Sequence, residues 1–269
     1  MPGALARLKA AVVPPAVPID ARGDWRAAEE ALGVELPADY KWLVETYGWG
    51  EFCDFLNLHT PFGSRPHNGL AWRSTGGLLV WGSTIDADRL CWRTDGSPGD
   101  WPVVIWDAEG AVEELPVGAG EFVAGWSLGL LESRLLGAME PGLAPWFNAF
   151  RTRTHRCVFL SEGPHPYAER LRILRDAFAP TADRGSWESD GGASGQDHFA
   201  AVADDWLFTY DRSRPHQIRV GFPPEDAQRA GARLFAAVRL MGCEVRQVTT
   251  GAGTVLPAWE TRAPEDTRP

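Results

Sequence analysis

The chain has little lysine, little cysteine and no long apolar run. Only Lys9 and Lys41 are lysine, so 24 of the 26 basic residues are arginine, and with abundant Ala and Gly this points to a bacterial genome rich in G and C. The four cysteines, Cys53, Cys91, Cys157 and Cys243, are too scattered for a disulfide framework, and reduced, buried thiols are expected. No stretch approaches the ~18 apolar residues that cross a bilayer, and the start, MPGALARLKAAVVPPAVPID, is interrupted by Pro14 and Pro15. The expectation is therefore no membrane span, no secretory leader and a cytoplasmic location. Basic charge is scarce in the first half: residues 1–150 hold 10 Lys and Arg against 20 Asp and Glu, whereas residues 151–269 hold 16 of each. A field of that sign repels nucleic acid, whose affinity comes chiefly from phosphate neutralisation, and attracts basic partners.

What is present is an ordinary globular balance, 44% apolar and 23% charged over 269 residues, which excludes disorder as the main state. Ten of the 13 tryptophans lie in residues 1–150. A large apolar body carrying one N–H fits an aromatic core or a protein-binding surface, and core is expected for most of them. The segment GDWRAAEEALGVELPADYKWLVETYG predicts two helices. The first covers about 24–32 and stops at Gly33; the second starts after Leu36, with Pro37 in its first turn and Asp39 near its positive end. Tyr40, Leu43, Val44 and Tyr47 make one apolar face, and Gly48 is expected to end the helix in a left-handed cap. Short β-branched and aromatic runs follow, read as four or five antiparallel strands. Phe122, Val123, Trp126, Leu130 and Leu131 then recur at helical spacing, which predicts a closing helix.

The stretch LGVELPADYKWLVETYGWGEF, followed by GGLLVWGSTIDADRLCW, WPVVIWD and EFVAGWSLGLL, resembles the SUKH superfamily of immunity proteins, which includes the fungal cell-wall-assembly regulator. The residues that carry the resemblance, in family order, are Leu32, Gly33, Leu36, Pro37, Asp39, Tyr40, Tyr47, Gly48, Gly50, Phe52, Gly77, Trp81, Gly82, Trp101, Pro102, Val103, Val104 and Asp107, within about 24–137. The resemblance implies an α+β domain with helices packed on an antiparallel sheet. It also implies that the domain binds a partner protein, usually neutralising a toxin, with no catalytic residues; no cofactor and no metal are expected. The motif residues themselves read as fold residues: a helix start, glycine turns, core aromatics. A binding surface is therefore expected among acidic and aromatic loop residues. The candidates are Trp49, Glu51 and Asp54 after the second helix, and Asp86 and Asp88, with Asp95 and Asp100, around 90–92.

Four enzyme-like signals compete with that reading. GWSLG, 125–129, fits the nucleophile-elbow pattern with Ser127 as nucleophile, but an elbow needs a buried parallel strand before it, and here the pattern is helical. Cys53, His59, His67 and Cys91 lack the close ligand pairs of zinc sites. Asp197 and His198 with Asp204 and Asp205 form an acid/base set only if the fold converges them. SDGGASG, 189–195, lacks the Gly-Lys-Ser/Thr ending of a phosphate loop.

Residues 141–156 read as a hinge carrying a basic run of Arg151, Arg153, His155 and Arg156. Beyond it the pattern predicts strand (157–161), helix (166–178), a long polar loop, strands (206–211 and 217–222), helix (224–241) and strand (243–249). That is the β-α-β-β-α-β order of a ferredoxin-like domain. The organisation expected is a SUKH-like domain at 1–145, a second, smaller α+β domain at 151–255 and a disordered tail at 256–269. The function expected is non-catalytic binding and neutralisation of a basic protein toxin; a serine hydrolase using Ser127 and a regulatory scaffold without a toxin are the alternatives.

Overall fold

The computed structural model describes residues 2–63, 69–72, 77–139, 144–189, 191–192, 194–213, 216–257 and 259. The chain divides into two units, Met1–Phe150 and Arg151–Pro269.

The first unit opens with helix α1 (Pro2–Ala11), which the sequence reading did not anticipate; its Leu8 and the following Val12 are fully buried. Helix α2 (Trp25–Leu32) begins where Asp24 Oδ1 accepts from the Ala27 N–H at 3.2 Å and ends at Gly33, whose φ of 76° and ψ of 14° are left-handed. Helix α3 (Ala38–Tyr47) buries the four residues of its predicted face. Gly48 departs from expectation: its φ of 72° and ψ of −160° do not form a left-handed helical cap. The glycine is needed because Ile19 runs alongside it, and a Cβ there would lie 2.3 Å from the Ile19 carbonyl oxygen.

The sheet has eight strands rather than four or five. They are β1 (Gly50–Phe52), β2 (Leu56–Leu58), β3 (Ala71–Trp72), β4 (Leu78–Thr84), β5 (Arg89–Arg93), β6 (Val103–Trp106), β7 (Val112–Leu115) and β8 (Phe147–Ala149). All pairings are antiparallel, in the order β7-β6-β5-β4-β2-β1-β8, with β3 also against β4. The undercount arose because strands of two to four residues are too short to show alternation. Helix α4 (Ala119–Ser127) forms where the closing helix was expected but is shorter: it ends before Leu130 and Leu131, Leu130 is exposed, and β8 follows it in the same unit.

Packing is led by rings. Tyr40 of α3 meets Trp92 edge-on at 4.9 Å, Trp92 stacks against Trp81 at 5.6 Å, and Phe122 of α4 meets Trp81 at 6.2 Å. Such pairs contribute about 0.5–1.5 kcal/mol each beyond their area burial, so this chain fixes how both helices lie on the sheet. Of the ten tryptophans in this unit five are buried, four half-buried and one, Trp72, exposed. Strand β8 falls in the expected hinge, yet it pairs with β1, and its Phe147 packs on Phe52 at 4.7 Å. A boundary at 145 would strip an edge strand from the first sheet.

In the second unit the order is β9 (Thr154–Leu160), α5 (Tyr167–Ala177), β10 (Thr181–Glu188), β11 (Gly195–Ala201), β12 (Trp206–Asp211), β13 (Gln217–Phe222), α6 (Ala227–Leu240), β14 (Val245–Thr250) and β15 (Val255–Leu256). The sheet is antiparallel in the order β10-β11-β12-β13-β9-β14-β15. The ferredoxin-like succession is thus widened by two strands, β10 and β11, where the long polar loop was expected. Their alternation is masked by polar residues, a register shift between Asp183 and Gly185, and an edge position that leaves β10 without a buried face. The core between sheet and helices includes Phe199 stacked on Phe208 at 4.9 Å, with Leu174 of α5 and Leu234 of α6 buried beside it. The expected disordered tail is also corrected at its start. Leu256 pairs in β15, and Trp259 donates from Nε1 to the Ala227 carbonyl at 2.6 Å while stacking on Phe222. Residues 260–269 lie outside those described.

Candidate protein-binding surface

Three hairpin turns of the first unit are hydrogen-bonded into one end of the sheet. Between β1 and β2, Cys53 and Asp54 both have φ of 55°, and the Phe55 N–H donates to the Phe52 carbonyl at 3.0 Å, the pattern of a type I′ turn that continues strand twist. Between β4 and β5, the Ile85 N–H donates to the Phe55 carbonyl at 3.0 Å, joining this turn to the first. Between β6 and β7, Asp107 Oδ1 accepts from the N–H groups of Glu109 and Ala111, and the Ala108 N–H donates to Asp88 Oδ1 at 3.3 Å, joining the third to the second. The resulting end is rigid and presents Asp54, Ile85, Asp86 and Glu109 as exposed side chains. Ile85 is 59% exposed, a large apolar group on the same end of the sheet as these carboxylates. Arg89 lies next to them, its guanidinium held on the Ala87 carbonyl at 2.8 Å.

The sequence candidates separate on this frame. Asp54 and Asp86 come together in adjoining turns. Asp88 does not join them: it is only 8% exposed, with Oδ2 accepting from the Thr84 hydroxyl at 2.7 Å and its own N–H donating back to Thr84 Oγ1. Its loop position suggested a surface acid, but it is a buried brace of the turn. Glu51 alternates with Phe52 and so points away from α3, accepting from Asn148 Nδ2 at 2.8 Å. Trp49 precedes β1 at the opposite end of that strand, half-buried with its ring edge-on to Phe150 at 5.1 Å. Asp95 and Asp100 are exposed in the connection between β5 and β6, at the far end from the three turns. Ile85 and Glu109 were not singled out from sequence. An apolar residue inside the turn sequence Ile-Asp-Ala-Asp is the signal that marks Ile85.

The enzyme-like signals do not assemble. Ser127 is the last residue of α4 and is 0% exposed, so GWSLG is a helix end running into a turn and not an elbow after a parallel strand. Burial pushes the Cys53 thiol up, away from the thiolate a nucleophile needs. His67 lies outside the described residues, and among those described no cluster of three His, Cys, Asp or Glu has metal-binding geometry. Asp197 and His198 are consecutive in β11 and face opposite sides of the sheet: Asp197 accepts from the Tyr167 hydroxyl, while His198 meets Thr209 at 3.0 Å. Asp204 pairs with Arg233 and Arg229, and Asp205 with Arg151 and Arg153. Within SDGGASG, the Ser189 N–H donates to the Ser194 carbonyl at 2.9 Å across the β10–β11 turn. Among the described residues no helix is long and apolar enough to cross a membrane.

Residues 22–123 match the SUKH_6 family, described as SMI1-KNR4 cell-wall. This stretch is a SUKH domain. The match runs from just before α2 into α4, less than half of the chain, and does not extend into the second unit. No curated protein and no solved structure matches the chain. In the SUKH domain the motif residues Leu36, Tyr40, Tyr47, Phe52, Trp81, Trp101 and Val103 are buried. The motif residues therefore build the scaffold, and the exposed turn end lies outside them.

Proposed function

We propose that the chain is an immunity protein of the bacterial cytoplasm, which neutralises a basic protein toxin by binding it through the SUKH domain. The observation that carries this reading is the turn end of the sheet, with Ile85 exposed among Asp54, Asp86 and Glu109 on three cross-linked hairpins. The acids steer a basic partner into encounter, and the central apolar group loses its water on docking. Because the turns are tied together by hydrogen bonds, one between backbones and one through the Asp88 carboxylate, little conformational entropy is lost on binding. Glu51 and Trp49 lie within one short strand of this end, about 10–17 Å at ~3.4 Å per residue, and a standard footprint of ~800 Å² per partner reaches both. They extend the same contact rather than forming its centre. Neutralisation then comes from steric blockade of the toxin, with no bond made or broken in it.

The test is co-expression with the terminal domain of a large secreted chain encoded by a neighbouring open reading frame. The protein should restore growth, and the Asp54→Lys, Asp86→Lys double variant should restore it less while staying folded. Equal rescue by the double variant would remove the turn end from the account, and the lack of any rescue would remove the immunity role.

A further inference from the structure

The second unit holds a groove of about 560 Å³ that the SUKH domain does not explain, lying between α6 and the outer part of its sheet. Its wall on one side is Phe235 and Val238 of α6; Val248 of β14 and Leu256 of β15 close it on the other. The groove runs beside an open strand edge. Strand β15 covers β14 only at Val248 and Thr249, so residues 245–247 carry no neighbouring strand on that edge among the described residues. Pro257 has no N–H to extend β15, and Trp259, which also lines the groove, donates from its ring to the carbonyl of Ala227 at the start of α6.

The mouth is basic. Arg239 and Arg246 both line it, both are exposed, and neither forms an ion pair with a described residue. Elsewhere in this unit arginines are engaged by carboxylates, as Arg153 is by Asp205, Arg172 by Asp176 and Arg233 by Asp204. Only Glu244 offsets the two at the groove.

An open strand edge, an apolar trough beside a helix and two arginines set against one glutamate are the elements of strand-addition recognition, in which backbone pairing gives affinity and alternate side chains give selectivity. We infer that this groove is a docking site for an extended, acidic segment of a partner polypeptide, which adds a strand beside Val245–Gln247, places apolar side chains against Val238 and Val248, and sets carboxylates on Arg239 and Arg246. The inference is independent of the immunity reading, since it uses no residue of the first unit.

The probe is a fluorescein-labelled hexapeptide of alternating Val and Glu, titrated into the full chain and followed by anisotropy, with amide hydrogen exchange on the complex. Saturable binding should weaken at least about tenfold in the Arg239→Glu, Arg246→Glu variant, both positions being exposed and so tolerant of the change. The amides of residues 245–247 should exchange more slowly with peptide bound, and the Val–Lys counterpart should bind at least about tenfold more weakly. Binding that ignores the double reversal, equal binding of the lysine peptide, or unprotected strand amides would overturn the proposal. So would binding that appears only after residues 260–269 are deleted, which would make the chain's own tail the occupant.

Discussion

Asp39, at the start of α3, accepts a hydrogen bond through Oδ2 from the Gly120 N–H at 2.8 Å, reaching the first turn of α4 across 81 residues of chain. The cap position of α4 is Gly118, which has no side chain to offer, so a carboxylate from another helix serves the orphan donor and faces the positive helix end. The approach requires glycine: a Cβ on Gly118 would lie 2.7 Å from Asp39 Oδ2, and one on Gly120 2.7 Å from Leu5 Cδ2. The aspartate of the Leu-Pro-x-Asp-Tyr motif therefore joins two helices. Asp39→Ala should cost about 1–2 kcal/mol, the usual range for a lost helix cap, with Asp39→Asn intermediate, as read from urea denaturation.

His216 is 5% exposed, with Nε2 2.8 Å from the Tyr210 hydroxyl and Nδ1 3.1 Å from the Ser161 carbonyl. Burial pushes its pKa below the ordinary value and the neighbouring Arg170 adds to this, against smaller opposing effects from Glu162 and Asp211. The unfolded chain therefore takes up a proton at this position more readily than the folded one, so stability should fall as pH drops through and below about 6.5. His155, lowered by burial and by Arg153, adds a change of the same sign. The urea midpoint should decrease between pH 7.5 and 5.5, and His216→Leu should flatten that dependence in part while lowering stability throughout.

Ser127→Ala should leave stability within about 1 kcal/mol, because a small hydroxyl inside the core contributes little net free energy. A fluorophosphonate probe should not label the protein, and mass spectrometry showing an adduct on Ser127 would reverse that expectation.

Fragments 1–150 and 151–259 should each fold alone, since each has its own core, whereas 1–145 should be less stable for want of β8. Circular dichroism and thermal melts of the three fragments decide this. In the second fragment Gly231→Ala should also destabilise, because the added Cβ would lie 2.5 Å from the Trp259 ring.

Helix α2 is legible from its stop at Gly33, and α3 because an apolar face and a stop coincide, Tyr40, Leu43, Val44 and Tyr47 before Gly48; the end of α4 is not legible, since Leu130 and Leu131 continue its apolar spacing past Ser127. Helix α1 is not, because its pattern is diluted by alanine and ends in a run of prolines. Strand β10 is hidden by polar side chains at a sheet edge, where burial does not impose alternation, and β11, though paired on both sides, by the polar run Gln196–His198 at its start. The surface was legible only in its charge. That Asp54 and Asp86 adjoin while Asp88 turns inward depends on which hairpins stack side by side, a consequence of the order β4-β2-β1 that no local pattern carries. Ile85 did carry a local signal, an apolar residue within a turn sequence, but its place beside the first turn follows from the same strand order.

The most direct test of the central claim is stopped-flow association of the full chain with its toxin domain over a salt series. Between about 0.01 M and 1 M salt the screening length falls from ~30 Å to ~3 Å, and the on-rate should drop at least about tenfold. At low salt the Asp54→Lys, Asp86→Lys variant should associate correspondingly more slowly with an unchanged melting temperature. An on-rate indifferent both to salt and to this double reversal would contradict an acidic docking surface on the SUKH domain.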